Sequence, residues 1–168
     1  MRKSYLCFIA LLMFAALAQA APKAEVFGGY QFTRLEGGTN MSGWNGALTG
    51  NVGSLLGLTA DFSQVYKSGV HFTTYTFGPE IHAHLPLVKP FVHALVGGAR
   101  FSAGAVPVGS SGSTFSTNGF ASYFGGGIDA GSGLFAFRVA QFDWMYARFS
   151  GSGSSKNVRV STGLVLRF

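Results

Sequence analysis

His71, Ser63, Asp61 and Ser68 gather around one turn signal, Tyr66-Lys67-Ser68-Gly69, and supply the residue types of a base, a nucleophile and an acid. Hydrolysis by such a set needs the hydroxyl within hydrogen-bond reach of the imidazole and the carboxylate orienting the ring. Residue types alone do not supply that geometry, so the chain is read as non-enzymatic and no catalytic residue is assigned. A second group is Glu80, His82 and His84, with His93 across the next turn. Two imidazoles on one strand face and a third from its neighbour are donors that zinc accepts. Apart from Glu80 no cysteine or nearby carboxylate completes this set, so neither metal nor cofactor is expected. Gly125-Gly126-Gly127 has the glycines of a phosphate loop without the following Lys and helix, and reads as a packing or bulge feature within a strand.

The elements that hold these residues are strands. Residues 24 to 34, 42 to 51, 55 to 64, 70 to 84, 90 to 101, 118 to 130, 134 to 149 and 157 to 168 alternate apolar and polar positions. Most are near the ~9 to 11 residues that cross a bilayer when tilted. Gly37-Gly38-Thr39-Asn40, Tyr66 to Gly69, the Ser/Gly-rich stretch from Ser102 to Thr117, and Gly151-Ser152-Gly153-Ser154 form one set of connections. Asn51 to Ser54, Leu85 to Lys89 and Gly131-Ser132-Gly133 form a shorter set. Short turns alternating with longer loops, on an even number of strands, predict an all-β protein: an eight-stranded antiparallel up-and-down transmembrane β-barrel with both termini on the periplasmic side.

Parity then assigns the faces. Leu56, Leu58, Ala60 and Phe62 oppose Gly57, Thr59, Asp61 and Ser63; Tyr75, Phe77 and Ile81 oppose Thr74, Thr76 and Glu80. In a bilayer the apolar set faces lipid, because Arg or Lys at mid-depth costs about 2–4 kcal/mol. Glu25, Asp61, Glu80, Arg100, Asp129, Arg138, Asp143, Arg159 and Arg167 are therefore expected in the lumen, with Gln141, as an ion-paired polar plug. Arg138 breaks parity with Gln141 and Asp143, and a β-bulge at Val139 and Ala140 would bring all three inside. Tyr30, Phe32, Trp44, Tyr66, Phe101, Trp144, Tyr146 and Phe149 cluster toward strand ends and suit an aromatic girdle at the membrane interfaces.

Composition agrees with a single exported domain. Arg2 and Lys3, an apolar run from Tyr5 to Leu17, and Ala18-Gln19-Ala20 have the three parts of a secretory signal, so cleavage is expected after Ala20. Residues 21 to 168 then form the barrel domain. The only cysteine, Cys7, leaves with the signal. Without Arg2 and Lys3 the twelve basic residues become ten, against six acids. They are spread singly along the chain, which argues against a nucleic-acid partner.

Phe27-Gly28-Gly29-Tyr30, Gly43-Trp44-Asn45, Thr59-Ala60-Asp61-Phe62-Ser63, Pro90-Phe91-Val92-His93-Ala94, Gly97-Gly98-Ala99-Arg100, Arg138 with Gln141 and Asp143, and Ser161-Thr162-Gly163 recur in order along the chain. Together they resemble the small OmpA/OmpX-type barrels and, more closely, short bacterial outer-membrane β-barrel-domain proteins. The last strand, with Leu164, Leu166 and a terminal Phe168, resembles the signal read by barrel-insertion machinery. The resemblance implies a monomer in the outer membrane of a Gram-negative bacterium, in contact with lipid, and with periplasmic chaperones and the assembly machinery during biogenesis. It implies a structural, adhesive or surface-interaction role, with an external ligand reached through the loops. The alternatives are a narrow porin-like channel and a soluble periplasmic lipocalin-like barrel, whose apolar face would point inward.

Overall fold

A strand presents unpaired backbone groups along both edges, and a series of strands satisfies every edge only by closing on itself. This chain does so in the computed structural model, which describes residues 23 to 103, 115 to 149 and 152 to 168. The expected signal peptide, residues 1 to 20, and most of the loop expected from Ser102 to Thr117 lie outside the described residues. The strands are β1 (Ala24–Arg34), β2 (Asn40–Val52), β3 (Leu56–Lys67), β4 (Val70–His82), β5 (Val88–Ala103), β6 (Phe115–Ala130), β7 (Phe135–Phe149) and β8 (Ser152–Arg167). Each pairs antiparallel with its sequence neighbours, and β8 returns to β1 to close an eight-stranded barrel. The seam is complete to its end: Ala24 and Phe168 exchange backbone hydrogen bonds of 3.2 and 2.8 Å.

Several strands run beyond the bounds that alternation sets. The expectation of long loops at the end away from the termini is corrected in two places. β3 and β4 are joined by Ser68 and Gly69 alone, and β8 already begins at Ser152. Ladder hydrogen bonds belong to the backbone, so Gly, Ser and Lys positions continue the pairing after the apolar pattern has stopped. Ser68 and Gly69 both have positive φ, 48° and 78°, as a two-residue hairpin turn requires when it follows the twist of its strands. Asn tolerates that conformation better than Ser. Ser68→Asn is accordingly expected to stabilise the barrel by about 0.5 kcal/mol, read as a higher urea midpoint for loss of the folded gel band.

The register of β7 carries one irregularity with functional weight. Ile128 pairs with Ala140 and Asp129 with Arg138, so Val139 is the extra residue of a bulge, and the pairing with β8 also skips between Arg138 and Gln141. The bulge reverses side-chain parity and brings Arg138, Gln141 and Asp143 to one face.

Candidate functional site

The two faces of the wall are opposite in kind. Glu25, Asp61, Glu80, Asp129, Asp143, Lys89, Arg138 and Arg159 are all buried, whereas Leu58, Phe77, Phe124 and Leu164 are more than half exposed on the outside. Five of the six acidic residues in the chain are thus inside the barrel. A buried carboxylate is stable only with charged or hydrogen-bonding partners, and the lumen supplies them in two linked groups.

The central group is built on Arg159, whose side chain is fully buried. Its Nη1 donates to Asp61 Oδ1 at 2.6 Å and its Nε to Asp143 Oδ2 at 2.7 Å, so one guanidinium bridges β3 and β7 from β8. The guanidinium also lies 4.1 Å from the Tyr123 ring centroid. Asp143 is shared further: Gln141 Nε2 donates to Oδ2 and His93 Nε2 meets Oδ1, each at 2.7 Å. Gln141 in turn accepts from Arg138 Nη1 at 2.6 Å, and Arg138 forks onto Asp129 at 2.8 and 3.2 Å. The Arg138 guanidinium sits between the Phe27 and Phe91 rings, 4.2 and 4.3 Å from their centroids. Such faces suit a planar, weakly hydrated cation.

Toward the termini, Lys89 Nζ donates to Glu25 at 2.7 Å and to Glu80 at 3.2 Å. Thr59 donates to Glu80 and Asn51 to Glu25. His82 Nδ1 lies 3.3 Å from Glu80, and His84 Nε2 lies 3.8 Å from Glu25. Arg167 links the two groups, 3.8 Å from Glu25 and 4.0 Å from Asp129. At the opposite end the lumen is filled by apolar side chains, among them Met41, Val65, Phe72, Leu95 and Met145.

Lys89 is the residue that sequence reasoning missed. Pro86 and Pro90 flank it and carry a turn signal, because proline removes a ladder donor. Parity held the information: Lys89 falls in step with inward Phe91, His93 and Leu95 once β5 is started at Val88. Lys89→Met is expected to cost about 2–3 kcal/mol, since Glu25 and Glu80 keep their neutral donors but lose their shared cation. Urea unfolding in lipid vesicles, followed by fluorescence of Trp44 and Trp144, measures it.

Three expected placements are corrected, that of Arg100 in the lumen and those of Phe149 and Phe101 in the aromatic girdle. Arg100 is not a lumen residue; it is exposed on the outer wall and donates to Ser116 Oγ at 3.4 Å. β5 alternates without a break through Leu95 and Ala99, so position 100 must face outward, and near the strand end its long side chain reaches polar surroundings. Phe149 stands on the inward parity of β7 and packs edge-on against Phe72, with centroids 6.2 Å apart, as part of the apolar plug. Phe101 packs against the same cluster. Tyr30, Phe32, Trp44, Tyr66 and Trp144 are exposed on the outer wall, and Tyr146 is half-buried there. Leu164, Leu166 and Phe168 share the outer face of the closing strand's end.

The hydrolytic set does not assemble. Ser63 and Asp61 are inside, bonded to Thr74 and Arg159, while His71 is exposed on the outer wall beside Tyr66. Lys89 occupies the space between Glu25 and Glu80 that a cation would take near His82 and His84, and among the described residues no group of three or more donors is placed to hold a metal.

Solved structures share this architecture. Ail, the attachment invasion locus protein of Yersinia pestis, in complex with the heparin analogue sucrose octasulfate, superposes with a TM-score of 0.66 at 16% identity. That alignment covers 89% of this chain and all of Ail. The fold is that of the small eight-stranded outer-membrane barrels. Neisserial surface protein A gives a TM-score of 0.62 at 16% identity, and the N-terminal barrel domain of Pseudomonas aeruginosa OprF gives 0.56 at 13%. Both alignments cover 89% of this barrel and the whole of the other chain. No family model and no curated protein matches the chain. At these identities the likeness is one of fold, and the lumen network above rests on this chain's own residues.

Proposed function

We propose that this chain is an integral outer-membrane barrel with a structural or surface-interaction role, its lumen shut by its own side chains. The observation that carries the reading is the inverted wall, with charges and amides inside and leucine and phenylalanine outside. Such a surface is stable in hydrocarbon and would aggregate in water, which is the opposite of a soluble lipocalin-like barrel. A channel needs a continuous wet path. Here Arg159 bridges opposite parts of the lumen, and beyond it stand Leu95, Met145, Phe72 and Val65.

With the interior closed, the remaining surfaces are the outer wall and the end away from the termini. Two of the fold's neighbours, an attachment and invasion protein and a surface protein, support work at that end. On this reading the termini lie in the periplasm, the aromatic residues of the outer wall sit at the lipid interfaces, and Leu164, Leu166 and Phe168 present the insertion signal to the assembly machinery. The partners are outer-membrane lipid and an external ligand, and the barrel acts as a monomer without cofactor.

Reconstitution of residues 21 to 168 into liposomes and planar bilayers tests the proposal. The expected result is a heat-modifiable folded band with no steady small-solute conductance. Stable conductance would replace the plug with a channel, and failure to enter lipid would return the soluble barrel.

A further inference from the structure

The outer wall is not uniform, and its register shows where it changes. Outward residues pair across strands in rows. One row runs Val26, Leu48, Ala60, Phe77, and the next runs Gly28, Gly46, Phe62, Tyr75. Small Gly46 and Ala60 between larger neighbours leave an apolar groove of about 550 Å³, bordered by Leu48, Phe62, Tyr75 and Phe77. It continues past Leu48 and Ala60 toward Leu58 as a second hollow of about 400 Å³.

One step further from the termini, the outward row turns polar on four adjoining strands. Gln64, Thr73, Arg100 and Asn118 stand in register, and beyond them His71, Ser102 and Ser116. Gln64 Nε2 donates to Thr73 Oγ1 at 3.5 Å, and Arg100 reaches Ser116. Two residues along a strand span ~7 Å, so Arg100 and Thr73 lie one headgroup's distance above Tyr75 and the groove. The patch has a guanidinium, an imidazole, hydroxyls and amides, and no carboxylate, since five of the chain's six acids are in the lumen. Among the described residues its hydrogen-bond partners are neutral hydroxyls, at 3.4 and 3.5 Å, and no anion faces the Arg100 guanidinium.

The geometry points to a lipid-binding site on the outer wall of β2 to β6, in which a phosphate-bearing membrane lipid lays an acyl chain in the groove and its headgroup on Arg100, Thr73 and Gln64. The pairing follows from chemistry: the groove presents mainly apolar surface, which suits an acyl chain, while a guanidinium binds phosphate through charge-assisted, two-pronged hydrogen bonds. Neither half alone selects a lipid; their adjacency does. The inference rests on the outer-membrane reading, and supplies that reading with a preferred lipid.

Two substitutions separate the halves. A Cβ at Gly46 meets only the Phe27 carbonyl, at an ordinary 3.5 Å, so Gly46→Leu fills the groove without straining the wall. Arg100→Gln removes the charge at an exposed position. The folded barrel, purified in detergent, is mixed with a bisphosphorylated acylated glycolipid, its dephosphorylated form, or inorganic phosphate, and retained ligand is counted by native mass spectrometry. Each variant is expected to bind the phosphorylated lipid about tenfold more weakly, and loss of phosphate from the lipid to act like Arg100→Gln. Heat-modifiable migration of each variant in liposomes is scored separately, so a barrel that fails to insert tells against the membrane reading and not against the site. Wild-type affinity in both variants overturns the site. An effect of Arg100→Gln alone overturns the groove's part in it, and binding of inorganic phosphate as tightly as the lipid reassigns the patch to free anions.

Discussion

Arg159→Met lowers the unfolding free energy of the barrel in lipid vesicles by about 3–5 kcal/mol, because it strips the shared guanidinium from two buried carboxylates. Asp61 keeps an amide donor from Asn45 at 3.3 Å, and Asp143 keeps Gln141 and His93. Neither set of remaining contacts replaces a guanidinium held at 2.6 and 2.7 Å. Arg159→Lys recovers little of the loss, since a single ammonium on a shorter reach cannot fork between β3 and β7. The triple change Arg159→Met, Asp61→Asn, Asp143→Asn recovers most of it by removing the charges together, which is the behaviour that separates an ion-pair network from generic packing. Denaturant titration of all four proteins in the same vesicles provides the comparison. Equal stability of Arg159→Met and wild type would mean that water or counter-ions carry the carboxylates, and that the lumen is wet.

The second large effect comes from a residue with no side chain. Gly125 on β6 lies in register with His93 on β5 and with Asp143 on β7. The His93–Asp143 contact therefore passes over β6 at Gly125, linking two strands that are not neighbours. A Cβ there would collide with the Asp143 carboxylate and with the Phe142 carbonyl, one of them backbone that cannot turn aside. Gly125→Val is expected to cost more than about 4 kcal/mol and to abolish the folded gel band on refolding into lipid. Gly28→Val is the matched control, because a Cβ at Gly28 meets nothing within 4 Å, and it should fold like wild type. A folded, heat-modifiable Gly125→Val barrel would show that the contact across β6 is dispensable.

Alternation is a property of single strands, and it is enough to assign Asp61, Glu80, Asp143 and Arg159 to one face, because a strand allows only two; the structure buries all four inside the barrel. The bulge at Val139 was legible for the same reason: Arg138 and Asp143 sit on opposite parities, and neither belongs against hydrocarbon. Strand ends carry a weaker signal, because the apolar pattern stops before the backbone pairing does. Lys89 lies in a stretch, Leu85 to Lys89, that reads as a turn, and Arg100 is a charge near a strand end, where parity and not charge decides the face. Phe101 and Phe149 have the position of girdle residues along their strands, but their parity places them against the apolar plug.

What the sequence determined by itself was the strand number, the antiparallel order and the polarity of each face, since all three follow from local periodicity and from turn residues. What only the tertiary structure decided was the pairing of charges. Glu25, Glu80 and Lys89 come from three strands, and Asp61, Asp143 and Arg159 from three others, at separations of up to 98 residues. Which carboxylate meets which cation depends on barrel closure and on the stagger between strands. Those are properties of the whole ring of hydrogen bonds, and no single strand contains them.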